Sequence, residues 1–216
     1  MLIPYKDQNP TKSFALVTFL FVCVNCFLFF SGYHDYGLVP SYFLNPGKAP
    51  NPELMMYTPI THMFMHGNLG HLLFNMLFLW IFGNNVEDKM GKVSFILFYV
   101  ITGVLSGMAF VFLNPESEVM LVGASGAISA VLGAYLLLFP KAKIHALVFI
   151  IPIKLPAFVY IIIWFGMQIL GLMSGESQIA WICHITGFIF GIVICKLFAK
   201  EEKNESPSRA DSFRRE

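Results

Sequence analysis

The sequence predicts an all-α polytopic membrane protein, a bundle of six transmembrane helices. Three observations carry that expectation. Of 216 residues, 56% are hydrophobic and 12% charged, about half the charged share of a soluble domain. The apolar residues gather in six continuous runs, each near the length that crosses a hydrocarbon core of about 30 Å. Lysine and arginine fall almost wholly on one side of those runs. Continuous runs, rather than alternating ones, argue for helices and against a membrane barrel.

The first run, roughly Phe14–Gly32, follows Lys6 and Lys12 as a signal peptide would. It is longer than a typical signal core and no A-x-A cleavage site follows, so it is read as a retained helix. The second, third and fourth are Leu69–Val86, Val93–Leu113 and the shorter Ser125–Phe139. The fifth and sixth are Leu155–Met173 and Ile179–Phe198. Between the first two lies a long loop, Tyr33 to Asn68, with Pro40, Pro46, Pro50, Pro52 and Pro59 among aromatic residues and methionines. That mix predicts a structured loop dipping into the interface. The stretch Ala142–Ile153 is apolar but short and is expected to be a re-entrant or interfacial piece.

With the N-terminus inside, the inner segments hold every lysine and arginine except Lys48. The positive-inside rule then puts both termini in the cytoplasm. The expected division is 1–13 as a cytoplasmic N-terminus, 14–198 as the six-helix domain and 199–216 as a charged, disordered cytoplasmic tail. A net charge of +1 gives no nucleic-acid signal. Cys23 and Cys26 form a C-x-x-C inside an apolar run with no second ligand pair, so packing explains them better than metal or redox chemistry.

The chemistry-bearing residues lie in the runs themselves. Gly123-Ala124-Ser125-Gly126 puts a serine at a glycine-flanked helix start, and His184 lies one to two turns into a helix carrying Gly187 and Gly191. Ser125, Ser129 and Gly133 share one helical face, as do His184, Gly187 and Gly191. Faces of small residues let helices approach closely. Two readings stand: the faces bring a nucleophile and its base together, or they only pack helices around a satisfied interior histidine. A serine hydroxyl needs a base to take its proton, and a carboxylate commonly orients that base. No Asp or Glu lies within the six runs, which leaves a Ser–His dyad.

An acyl-transfer site also needs donors for the developing oxyanion. His71 and Asn75, four apart on the second helix, can supply them with the Ser125 backbone N–H. The alternative for Asn75 is a polar residue that only joins helices by a hydrogen bond. His62, His66 and His71 invite a metal reading, but there is no H-E-x-x-H and no membrane carboxylate to complete a zinc site.

At these residues the chain resembles the rhomboid family of intramembrane serine proteases. The likeness runs from about Thr58 to Phe198. It takes in His62-Met63-Phe64-Met65-His66-Gly67, His71-Leu72-Leu73-Phe74-Asn75, Gly83, Glu87, Gly123-Ala124-Ser125-Gly126, and His184 followed by Gly187 and Gly191. The resemblance implies a six-helix fold whose short fourth helix is sunk below the outer surface. It implies Ser125 as nucleophile, His184 as base and then acid, and His71, Asn75 and the Ser125 amide as oxyanion hole. The implied substrates are single-pass transmembrane proteins, entering laterally past the fifth helix and the cap loop Ser174–Ser177. Membrane lipid is the other expected partner, nucleic acid is not one, and no cofactor or metal is implied. The compact form points to a bacterial inner membrane. The alternative is a catalytically inactive relative that binds transmembrane helices. Two positions depart from the family pattern: Ser129 where an aromatic often packs on the histidine, and Tyr57-Thr58 where a Trp-Arg pair often stands. Ser129 is a candidate to hydrogen-bond His184 instead.

Overall fold

The computed structural model describes residues 2–33, 36–174 and 178–204. The cap-loop residues 175–177 and the tail residues 205–216 lie outside the described residues. The chain is mostly helical, but the all-α expectation is corrected: a three-stranded antiparallel sheet stands at one end of the bundle.

In chain order the elements are β1 (Leu2–Asp7), α1 (Leu16–Phe30), α2 (Leu69–Met90, through a π turn at Leu79–Gly83), α3 (Lys92–Leu113) and α4 (Ser125–Leu138), followed by β2 (Lys143–Val148), β3 (Ile151–Pro156), α5 (Ala157–Met173) and α6 (Gln178–Asn204). Each of the six apolar runs is thus a helix. Two of them, α2 and α3, are long and apolar enough to cross a membrane; the apolar parts of the others are shorter.

The expected end of the second run at Val86 falls short by a turn, because the acids beyond it are used inside the fold. Glu87 is buried and accepts hydrogen bonds from the backbone N–H groups of Val17 (3.0 Å) and Thr18 (2.8 Å). Asp88 accepts from the N–H groups of Lys12 and Ser13 and from the Ser13 hydroxyl. These are donors at or just before the first turn of α1, where no intrahelical acceptor exists. Carboxylates there also complement the helix dipole. The reversal from α2 to α3 is made at Gly91, whose φ of +80° a side chain would resist.

The long loop is structured. Short helical turns at Pro40–Leu44 and Thr58–Thr61 interrupt it, and Leu38 makes an antiparallel bridge to Leu121. Its buried residues Met63 and His62 pack on α3, against Gly103 and Gly107 respectively.

Helix α4 is the axis of the bundle. Every residue from Gly126 to Tyr135 is buried, as expected of a helix that is apolar on all sides. Fourteen residues make a rod of about 21 Å, roughly 9 Å short of the hydrocarbon thickness.

The stretch expected to be a re-entrant or interfacial piece folds as the hairpin β2–β3, and the N-terminal residues supply a third strand. β1 pairs with β2 with Leu2 opposite Val148, and a bulge falls between Pro4 and Lys6. Asp7 anchors this sheet to the bundle by accepting hydrogen bonds from the Tyr135 hydroxyl on α4 and the Asn85 amide on α2, both at 2.8 Å. Burial raises the Asp7 carboxyl above the usual carboxylate range. The sheet closes the end of the bundle opposite Ser125.

Candidate active site

Ser125 is the first residue of α4, so its backbone N–H has no partner within the helix and points along the positive end of the dipole. The chain reaches that position through Gly123, whose φ is +120° and whose N–H donates to the His62 carbonyl at 2.9 Å. A side chain at Gly123 would strike the His71 ring, 2.6 Å from Cε1 and 2.7 Å from Nε2. The same point is 3.7 Å from the Ser125 hydroxyl. Glycine is needed here for its backbone and for the imidazole lying over it.

His71 is placed by the start of α2. Asn68 caps that helix, its side-chain oxygen accepting from the His71 N–H at 2.8 Å. One turn on, the Asn75 side-chain amide donates to the His71 carbonyl at 3.0 Å. The preceding histidines belong to the wall behind. The His62 Nδ1 lies 3.0 Å from the Thr58 carbonyl, and the His66 ring stands edge-on to His71 with centroids 5.1 Å apart. Burial pushes both His62 and His66 down to about 4, so both rings are neutral near pH 7. Among the described residues no three His, Cys, Asp or Glu side chains form a group that could hold a metal ion.

His184 is delivered by the seam between α4 and α6. Gly187 lies against the Gly126 carbonyl and Gly191 against the Ala130 carbonyl, while Gly133 faces the Phe188 carbonyl. The α4 side of the seam is Gly126, Ala130 and Gly133, not the expected face of Ser125, Ser129 and Gly133. Ser125 and Ser129, one position earlier, line a cavity of about 250 Å³. That cavity brings together all four side chains singled out from the sequence: Ser125, His184, His71 and Asn75. Phe74, Phe78 and Trp164 make its apolar walls.

Ser129 does not hold the histidine. Its hydroxyl donates to the Ser125 carbonyl at 2.6 Å, because a serine inside a helix finds the carbonyl four residues back most readily. The contact to His184 comes from α5: Gln168 Oε1 lies 2.7 Å from His184 Nδ1. Trp164 of α5 and Trp181 of α6 flank the ring at 6.2 and 6.1 Å between centroids. Sequence reasoning missed Gln168 and Trp164. A signal was available, since Gln168 is the one amide in an otherwise apolar run and polar residues in such runs are functional candidates by default.

The rhomboid domain model matches residues 53–201, most of the chain. The chain belongs to the rhomboid family. Members of this family are integral membrane proteins, which accounts for the apolar exterior of α1, α3 and α5. Among its relatives is the RHOMBOID-like protein 12, mitochondrial, of Arabidopsis thaliana, 30% identical over 61% of this chain and 43% of that protein. The rhomboid protease GlpG of Yersinia pseudotuberculosis is 28% identical over 65% of this chain and 48% of its own length. The GlpG of Haemophilus influenzae is 29% identical over 67% and 71% respectively. The chain thus spans about half the length of several rhomboid relatives it matches.

Proposed function

We propose that this rhomboid protein is an intramembrane serine endopeptidase that cleaves single-pass transmembrane proteins within or near the membrane. The observation that supports it most is the convergence of Ser125, His184, His71 and Asn75 on one cavity. In this reading residues 14–198 carry the activity, and the bias of lysine and arginine puts both termini in the cytoplasm, with a bacterial inner membrane as the setting.

The chemistry follows from the placement. The Ser125 hydroxyl attacks the scissile carbonyl while His184 Nε2 takes its proton. The carbonyl oxygen becomes an anion, and the His71 ring, the Asn75 amide and the Ser125 N–H stabilise it. Donors held ready in a water-poor site contribute several kcal/mol to such a step. The protonated His184 then gives its proton to the leaving amine, leaving an acyl ester on Ser125. A water, deprotonated by His184, attacks that ester, and the proton returns to Ser125 as the acid leaves. A helical substrate must unwind locally first, because its own turn shields the peptide bond.

The test is cleavage of a generic single-pass substrate in proteoliposomes, with fluorophosphonate labelling of Ser125. Wild type is expected to cleave and label, and Ser125→Ala to do neither while keeping the same unfolding midpoint. Folded wild type that neither cleaves nor labels would overturn the reading in favour of an inactive, helix-binding relative.

A further inference from the structure

A dyad has a difficulty that a triad does not. The imidazole of His184 has two nitrogens, and only one can face Ser125 with a free lone pair. Neutral histidine carries its proton on either nitrogen, and the partner of the other nitrogen decides which. With no carboxylate in the runs, something else must decide it.

Gln168 is 5% exposed and has both halves of its amide engaged. Its Nε2 donates to the Trp164 carbonyl at 2.9 Å. That carbonyl can only accept, so the amide cannot be turned the other way. The Oε1 is therefore the atom 2.7 Å from His184 Nδ1, and an amide oxygen can only accept. The proton of the neutral ring must then be on Nδ1, and the lone pair on Nε2. Trp164 and Gln168 are one turn apart on α5, so a single helix face supplies the hydrogen bond, the carbonyl that aims it and the indole beside the ring.

We propose that Gln168 is the positioning residue for His184, holding it as the Nδ1–H tautomer so that Nε2 is the base toward Ser125. The catalytic consequence rests on the protease reading; the tautomer assignment does not. An amide does this without adding a charge, so it orients the ring but does not neutralise the imidazolium as an aspartate would.

The experiment compares wild type with Gln168→Leu, Gln168→Met and Gln168→Glu in detergent micelles, each checked by thermal unfolding. The first readout is the ¹⁵N spectrum of the imidazoles, with His184→Gln identifying the His184 signals. Wild type is expected to show a protonated Nδ1 and an unprotonated Nε2, and the Met and Leu variants a mixture. This readout does not need turnover, so it decides the tautomer even for protein that fails to cleave.

The second readout is kcat and KM against pH. Gln168→Met and Gln168→Leu are expected to lower kcat about tenfold or more, as loss of a buried hydrogen-bond partner does, with KM little changed. Gln168→Glu keeps an oxygen acceptor and adds a charge that favours the imidazolium. Its turnover is expected to recover at alkaline pH, with the acid limb of kcat/KM moved to higher pH. A glutamine that only joins helices would leave the His184 tautomer and kcat of the folded Met variant as in wild type. An unchanged tautomer in the folded Met variant, or wild-type kcat there, would overturn the proposal.

Discussion

Helix α6 meets α4 and α5 in opposite ways. Toward α4 it presents glycines, and backbone lies on backbone: Gly187 on the Gly126 carbonyl, Gly191 on the Ala130 carbonyl. Toward α5 it presents large side chains: Phe188 stacked on Phe165 at 4.5 Å, the Trp181 ring against Gly171, and His184 hydrogen-bonded to Gln168. The first contact has no rotamers to change, so it sets the distance between the segments bearing Ser125 and His184. The second is made of side chains that can repack. Placement of Ser125 and His184 is thus a backbone property, and orientation of the histidine a side-chain property, carried by different helices.

The sharpest way to break this comparison is at the seam. Gly187→Val adds atoms where a carbonyl already stands, and no rotamer of the neighbour can yield. The cost is expected at or above the upper end of the about 1–3 kcal/mol typical of overpacking. A strongly lowered unfolding midpoint or failure to assemble, read by thermal unfolding and size-exclusion chromatography, is the expected outcome. A midpoint equal to wild type would show that the seam is not tight.

A middle-sized effect is expected on the third wall of the cavity, formed by α2. On the protease reading, Asn75→Ala removes one of several oxyanion donors and should lower kcat by about a hundredfold, less than the loss with Ser125→Ala. Wild-type turnover in Asn75→Ala would remove that residue from the oxyanion assignment. The smallest effect is expected on α5. At Gly166 nothing lies within 4 Å of an added Cβ, so Gly166→Ala should not lower the unfolding midpoint. The same change at Gly187 should lower it, and equal effects at the two positions would erase the distinction between the two sides.

Much of this arrangement was legible in the sequence. The six helices announce themselves as continuous apolar runs, and the spacing of Gly187 and Gly191 marks the helix face that packs closely. The four cavity residues were legible for the same reason, since a serine, two histidines and an asparagine stand out against apolar runs. The sheet was not legible. The stretch 142–153 is short and apolar, which periodicity cannot assign, and β1 has no local signal because its partner lies far along the chain. Gln168 escaped for a chemical reason. The familiar orienting group is a carboxylate, whereas any acceptor on Nδ1 fixes the tautomer, and an amide oxygen is one. Ser129 was adjacent in sequence pattern to the right face, but its hydroxyl had a nearer acceptor in its own helix.

The sheet also imposes an order of events on the nascent chain. β1 precedes the six helices in the chain, yet its partner Val148 emerges only after four of them. The hairpin β2–β3, joined through a two-residue turn at Phe149 and Ile150, closes locally and early once made. β1 must instead close a loop that encloses most of the membrane domain, an entropic cost that grows only slowly with length but is met late. The N-terminal strand thus reports that α1 to α4 are already in place, since Asp7 reaches Tyr135 and Asn85 only on an assembled bundle.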